Sequence, residues 1–270
     1  LVRLIRIFNS ICYYPCTFLF NDLRPLVFVV TGGGSGIGSA LAQALAARGR
    51  EVLIIGRRES CLKDVAALSP KIQYLCADVA SDEGRQSVVN HLVVGHANLE
   101  GLVHNAGVID PILPMAELRD EDWRAVMATN LDAPFFLTKA LMHQLEHARV
   151  LHVGSGAAYF PVVGWAPYCV SKAGLSMLTQ CFQLEYPSLA IASVMPGIID
   201  TAMQASIRAS THMTKEKHDF FVDLKLKQQL LTVESVAAYL TWLLLDVEKS
   251  EYVSKEWDIY EAVDEGFLHA

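Results

Sequence analysis

The sequence predicts an α/β protein, a doubly wound parallel sheet with helices on both faces, and three observations carry that prediction. Short, nearly continuous apolar and β-branched runs recur along the chain, as in strands buried on both faces. They alternate with stretches whose apolar residues follow helical spacing. Glycine and polar residues collect at the carboxyl ends of the runs, at Gly32, Gly56, Asp78, Asn105, Ser155 and Pro196. That is the edge where open α/β sheets bind ligands.

Residues 26–30 form the first predicted strand, and residues 39–48, rich in alanine and leucine, the first helix. Between them lies Thr31-Gly32-Gly33-Gly34-Ser35-Gly36-Ile37-Gly38, and residues 51–55 are the next strand. Strand, glycine turn, helix and strand make one βαβ unit. Glycines there let the chain turn tightly and bring backbone N–H groups against a pyrophosphate at a helix N-terminus. A plain tight turn is the competing reading, but the position between strand and helix favours dinucleotide binding. The alternation continues with a strand at 72–77 ending in Asp78, a helix at 81–94, and a strand at 99–104 ending in Asn105-Ala106-Gly107. One helical stretch is expected over 120–143, where Trp123, Val126, Met127 and Leu131 share a spacing. A strand over 150–153, a helix over 168–186 and a strand over 190–194 ending at Pro196-Gly197 complete a Rossmann-like sheet. Residues 200–231 are long enough for a substrate lid of one or two helices.

At 270 residues and 52% apolar content, the chain can bury one large core. A net charge of −7 argues against a nucleic-acid groove or an anionic membrane surface as the main partner. The six cysteines do not resemble a disulfide framework in a chain this long. Cys61, Cys76 and Cys181 fall in apolar stretches and are expected to be buried, reduced thiols. Cys12-x-x-x-Cys16 has no partner pair at zinc spacing, so no metal site is expected, and a reducing cytoplasm fits this cysteine usage. Residues 1–24 differ in character from the rest. Arg3 and Arg6 precede an apolar run, but Asn9, Ser10, Pro15 and Thr17 interrupt it and no small-residue cleavage site follows. The run is also too short and broken for a membrane span. The first methionine is Met115. An N-terminal extension or a start-site artefact is therefore expected for residues 1–24 rather than a targeting signal, with one domain over 25–270.

The chemistry centres on Tyr168-x-x-x-Lys172, a pair on one face of a helix. An ammonium beside a phenol is expected to lower the tyrosine pKa, giving an acid or base usable near neutral pH. Ser155, at the end of the 150–153 strand, could hold a carbonyl oxygen while Tyr168 protonates it. After the second strand come Gly56-Arg57-Arg58, with no acid until Glu59. Guanidinium forks suit the 2′-phosphate of NADP(H), whereas a carboxylate there would suit the ribose diol of NAD. The bland alternative is a pair of solvated loop arginines.

Together TGGGSGIG, Asn105-Ala106-Gly107, Asn130, Ser155, Tyr168-x-x-x-Lys172 and Pro196-Gly197 resemble the short-chain dehydrogenase/reductase family over about residues 25–260. The resemblance implies Tyr168 as proton donor, Ser155 as the carbonyl-polarising hydroxyl, Lys172 on the nicotinamide ribose, and Asn130 holding a water of the proton relay. It implies cofactor contacts from Gly32, Ser35, Gly36, Ile37 and Gly38, from Asp78 and Val79 at the adenine, and from Asn105, Ala106 and Gly107. Pro196, Gly197, Ile199 and Thr201 match the loop over the nicotinamide. Asn130 as a helix cap or kink, Asp78 as a turn former and Thr201 as an N-cap are the structural alternatives. Gly154 stands where many members have a second serine.

Trp165-x-x-Tyr168-Cys169, residues 198–204, and Tyr252-Val253-Ser254 before Asp258-Ile259-Tyr260 are similar to sepiapterin reductases and to the neighbouring benzil reductases. By that resemblance Asp258 would anchor a pterin ring, although Lys255 replaces the usual glycine and the segment is one residue shorter. A surface acid is the alternative. Trp165 and Met203 are expected to line an apolar pocket suited to a small ketone or vicinal dicarbonyl. The expected activity is NADPH-dependent carbonyl reduction. An NAD-dependent alcohol dehydrogenase and a non-catalytic NADP sensor are the alternatives. Pairing of helices 120–143 and 168–186 across a two-fold axis would give a homodimer or homotetramer.

Overall fold

The structure is a computed structural model that describes residues 26–94 and 98–264, with side chains to Glu261. The expectations for residues 1–24, including Cys12 and Cys16, lie outside the described residues. The described residues begin with β1 (Leu26–Thr31), α1 (Gly36–Ala47), β2 (Glu51–Gly56), α2 (Glu59–Ala66), β3 (Ile72–Cys76), α3 (Asp82–Val94) and β4 (Asn98–His104). Then come α4 (Asp120–Met127), α5 (Ala133–Ala140), β5 (Arg149–Val153), α6 (Ala166–Glu185) and β6 (Ala190–Met195). Two helices, α7 (Ala202–Ala209) and α8 (Lys215–Leu226), fill the interval expected for a lid. The last elements are α9 (Val233–Leu245), α10 (Lys249–Tyr252), β7 (Trp257–Asp258) and α11 (Ile259–Asp264).

All seven strands are parallel, in the order β3-β2-β1-β4-β5-β6-β7. The chain starts mid-sheet, winds outward to β3, then returns to the other side of β1 as β4. The carboxyl ends of β1 and β4 therefore diverge at a switch point, where a crevice must open. Successive strand residues face opposite sides. Val30, Ile54, Val103 and Leu151 pack with α1 and α9 through Leu41, Leu45, Leu240 and Leu243. Val29, Leu53, Leu102 and Val150 pack on the other face with Val88, Leu137 and Phe182. Each such side chain, fully withdrawn from water, contributes about 1.5–3 kcal/mol before chain entropy is counted. Gly101 lets β4 pass under Phe28, since a Cβ there would sit 2.4 Å from the ring.

The structure corrects three expectations. The helix over 120–143 is broken: α4 and α5 are joined by a π-helical turn at Ala128–Asp132, where one extra residue is accommodated. Cys76 and Cys181 are exposed, and Cys61 and Cys169 are only partly buried, although all four are free thiols. Cys76 ends the edge strand β3, and Cys181 lies on the outer face of α6, so an apolar neighbourhood in sequence did not translate into burial. The third correction is β7, two residues long, which pairs Asp258 with Met195 and makes the sheet seven-stranded. Among the described residues no helix is long and apolar enough to cross a membrane.

Candidate active site

The switch point is stitched together by short polar side chains. Thr31 Oγ1 accepts from the backbone N–H groups of Asn105 and Ala106, each at 3.1 Å, and donates to Val103 O. Asn105 Nδ2 donates to Thr31 O at 2.9 Å and to Gly32 O at 3.3 Å. Gly32 has φ +69°, and a Cβ on it would meet the Ala106 Cα at 2.9 Å. A Cβ on Gly38 would lie 2.5 Å from Gly32 O. Both positions therefore demand glycine, and the turn runs flush against the end of β4.

This turn delivers α1 with its first N–H groups free of side-chain caps: Ser35 is the N-cap residue but makes no cap hydrogen bond, and no acid occupies the first turn. Free donors at a helix N-terminus favour an anion. Ser35 Oγ instead accepts from Arg58 Nη2 at 3.1 Å, so a hydroxyl and a guanidinium meet beside the exposed Arg57. These features fit the phosphates of a nicotinamide dinucleotide. Asp78 Oδ1 accepts from Ala80 N at 3.0 Å and so does form the turn, while the residue also lines the cleft. Thr201 is the N-cap residue of α7, yet its side chain makes no cap bond. Its methyl lies 3.6 Å from where a Gly36 Cβ would be, which puts this loop across the glycine turn.

Tyr168 and Lys172 sit one turn apart near the start of α6, which Pro167 helps to open. Both are buried, at 7% and 5% exposure. The Ser155 hydroxyl, at the end of β5, acts on the Tyr168 phenol to favour its ionised form. Burial is the larger influence, however, and it holds the Tyr168 pKa above its ordinary value. The expected lowering by Lys172 is not found. Lys172 Nζ lies 5.7 Å from the Tyr168 ring centroid and donates to Val153 O at 2.7 Å, while burial lowers its own pKa from 10.5 to about 8. A cation tied to a carbonyl and close to discharge does little to stabilise a nearby phenolate.

Asn130 lies in the π-helical turn, 1% exposed. Its Nδ2 donates to Val108 O at 2.8 Å and Ser171 Oγ at 3.0 Å, and its Oδ1 accepts from Val108 N at 2.9 Å. The side chain thus pins the segment after β4 to α6, and Gly107 leaves room beside it: a Cβ there would be 3.7 Å from both Asn130 Oδ1 and Lys172 Nζ.

A continuous cleft of about 1500 Å³ runs along the carboxyl edge. Every predicted site residue lines it except Gly38 and Asn130, which support it from behind. Beyond Tyr168 the cleft becomes apolar. Trp165 meets Tyr168 edge to face at 5.9 Å and stacks on Phe221 of α8 at 5.6 Å, with Ile109, Ile112 and Ile207 packed around them. Met203 packs against this group. Asp258 reaches the cleft, but its Oδ1 accepts from Tyr260 N at 3.0 Å and so caps α11. The acid that touches the loop after β5 is Glu256, two residues earlier, hydrogen-bonded by Tyr159 and Ser193.

The sequence reading missed two features. Behind Lys172, His152 and His104 pack ring to ring at 5.1 Å. They are bonded to Thr179 and Thr138 respectively. Burial holds both neutral: His104 falls to about 3, and His152 falls well below its ordinary value, lowered further by His104 and Lys172. At the cleft mouth Lys217 sits among Phe160, Phe220 and Phe221. The fold alone brings the two histidines together; Lys217, Phe220 and Phe221 share a face of α8 at i, i+3 and i+4, and the fold adds Phe160.

Comparison with known proteins agrees with this geometry. Residues 26–212 match the short chain dehydrogenase family. A benzil reductase ((S)-benzoin forming) of Bacillus cereus is 31% identical, over 80% of this chain and 92% of its own length. The crystal structure of the short chain dehydrogenase/reductase YIR035C from Saccharomyces cerevisiae superposes with a TM-score of 0.81 at 27% identity, covering 86% of this chain and 95% of that one. An actinorhodin polyketide ketoreductase solved with NADPH gives a TM-score of 0.73 at 27% identity, covering 87% and 94%.

Proposed function

The chain belongs to the short chain dehydrogenase family, in its benzil reductase-like branch, and we propose that it reduces a small ketone or vicinal dicarbonyl with NADPH, Tyr168 donating the proton. The observation that carries this reading is the buried Tyr168 phenol in the cleft wall, which it shares with Ser155, one helical turn from Lys172.

A phenol held protonated by burial is suited to giving a proton to a carbonyl oxygen that becomes an alkoxide. Ser155 is placed to donate to the same oxygen and to steady the developing charge. Lys172 is the ribose-binding candidate. It must leave Val153 O or share its protons to reach a sugar hydroxyl. With both Nδ2 protons committed, Asn130 has only its second Oδ1 lone pair or its backbone carbonyl left to hold a relay water. The free N–H groups of α1 fit a pyrophosphate, and Arg57 and Arg58 with Ser35 fit the 2′-phosphate. The nicotinamide, when bound, supplies the hydride.

The stacked Trp165 and Phe221 favour a flat or apolar carbonyl compound. With Asp258 engaged as a cap, a benzil-like diketone is favoured over a pterin. The four cysteines among the described residues, all free, fit a reducing compartment such as the cytoplasm. Exposed Val170, Met177 and Leu184, at heptad-like spacing on α6, with exposed Trp123 and Phe135 on the neighbouring helices, fit a two-fold helix contact between protomers.

The test is NADPH oxidation with benzil, 1-phenyl-1,2-propanedione, diacetyl, sepiapterin and a simple aryl ketone, run with the wild type and Tyr168→Phe. Preference for the aryl diketones is expected, with a loss of about 10²-fold or more in the variant while NADPH binding persists. Normal turnover by Tyr168→Phe would overturn the mechanism, and faster oxidation of alcohols with NAD⁺ would favour a dehydrogenase.

A further inference from the structure

Lys217 occupies an unusual place. It lies in the first turn of α8, where the helix macrodipole disfavours a cation. The other basic side chains of α7 and α8 with a role there are matched by acids: Lys215 by Asp219, Lys227 by Asp223, and Lys225 and Arg208 by Asp200. His218 also faces Asp219. Lys217 alone among these cations has no carboxylate partner among the described residues. Instead its ammonium sits 4.8 Å from the Phe220 centroid and 5.5 Å from the centroids of Phe160 and Phe221.

All four residues line the cleft, and Lys217 is half-buried. Rings on several sides fix the ammonium without neutralising it. Ring contacts run from Tyr168 through Trp165 and Phe221 to Lys217, so the apolar wall of the cleft connects the phenol to the cation. A charge left uncompensated on an apolar wall selects a ligand that brings the opposite charge.

We propose that Lys217 is a specificity determinant that binds an anionic group on the substrate, so that the preferred compound is an aromatic carbonyl carrying a carboxylate at the end away from the reduced carbon. This inference rests on the carbonyl reductase reading and narrows it. Lys217 takes no part in hydride or proton transfer. It acts on binding, through KM, and through the salt dependence of that binding.

The test compares benzil bearing a 4-carboxylate with the methyl ester of the same compound, and with benzil itself. The wild type is expected to prefer the acid over the ester, and the preference should fade as salt is raised. In Lys217→Met the acid-to-ester ratio of kcat/KM should fall about tenfold or more, mainly through the KM of the acid, whereas Lys217→Arg should keep most of it. An unchanged ratio in Lys217→Met, or reduction of benzil with neither 4-substituted probe accepted, overturns the inference and leaves carbonyl reduction standing. Failure to reduce benzil and both probes, with NADPH bound, overturns the underlying reading and the inference together.

Discussion

Replacing Lys172 by methionine should make the cofactor-free protein more stable at neutral pH while removing its activity. Burial lowers the Lys172 pKa from 10.5 to about 8, a drop equivalent to about 3 kcal/mol. The sign follows from which state holds the proton. Below about pH 8 both the folded and the unfolded chain carry the charged amine, and the folded state bears the full cost of burying it. Between about 8 and 10.5 the folded protein releases the proton while the unfolded chain keeps it, so wild-type stability rises with pH across that window. Methionine fills similar space without a charge, but it leaves Val153 O without the donor it has at 2.7 Å, at a cost of about 1–3 kcal/mol. The variant should therefore be level with the wild type or up to about 2 kcal/mol more stable near pH 7. It should lose that advantage by about pH 10, where the wild type is relieved of its charge. Urea unfolding of both proteins without cofactor, at a series of pH values from about 7 to 10, reads this directly. A variant that is less stable by the same amount at every pH would show that Lys172 keeps its ordinary pKa in the fold, and the argument from burial would fail.

The other expectations are more local. Arg57→Ala and Arg58→Ala should each reduce the preference for NADPH over NADH about tenfold or more, read from the KM values of the two cofactors, because each removes a phosphate-matching fork; an unchanged ratio in both would leave them as solvated loop residues. Asp258→Asn can still accept from Tyr260 N, so the ratio of sepiapterin to benzil turnover should stay within about twofold of the wild type; a selective loss of sepiapterin reduction would restore Asp258 as a pterin anchor. Met177→Lys places a charge in the exposed stripe of α6 and should convert a dimer or tetramer to smaller species by light scattering; a wild type that is monomeric at micromolar concentration would remove this face as an interface.

The strands were legible because burial on both faces leaves a run such as Val27-Phe28-Val29-Val30 with hardly a polar residue. The carboxyl-edge residues were legible for a related reason: turns at the ends of such strands need glycine, asparagine or proline, and those stand out against apolar runs. What failed to show was whatever depends on the third dimension. The π-helical turn at Ala128–Asp132 adds a single residue, too little to disturb the apolar spacing seen from Trp123 to Leu131. The two residues of β7 are too few to display any period. The raised pKa of Tyr168 follows from burial beneath Trp165 and the loop after β5, which spacing to Lys172 does not reveal. Lys217 reads as one lysine in a charged helix with Phe220 and Phe221 on its face, until the fold brings Phe160 and the cleft beside it.

The extra residue between α4 and α5 also gives this part of the chain a mechanical phase. The π-helical turn absorbs it, so the residues after the turn keep a phase that a regular α-helix through the same residues would shift by about 100°. Asn130 is thereby aimed inward at Val108 and Ser171, while Trp123 and Phe135, one on each side of the turn, both reach the outer surface. Forcing residues 128–132 into a regular α-helical spiral, which intrinsic propensity would favour, would rotate one of these faces away from its target. The flaw works as a keyway: it lets one rod engage the catalytic wall along one side and keep its aromatic residues outward along another, which an unbroken helix of the same length could not do.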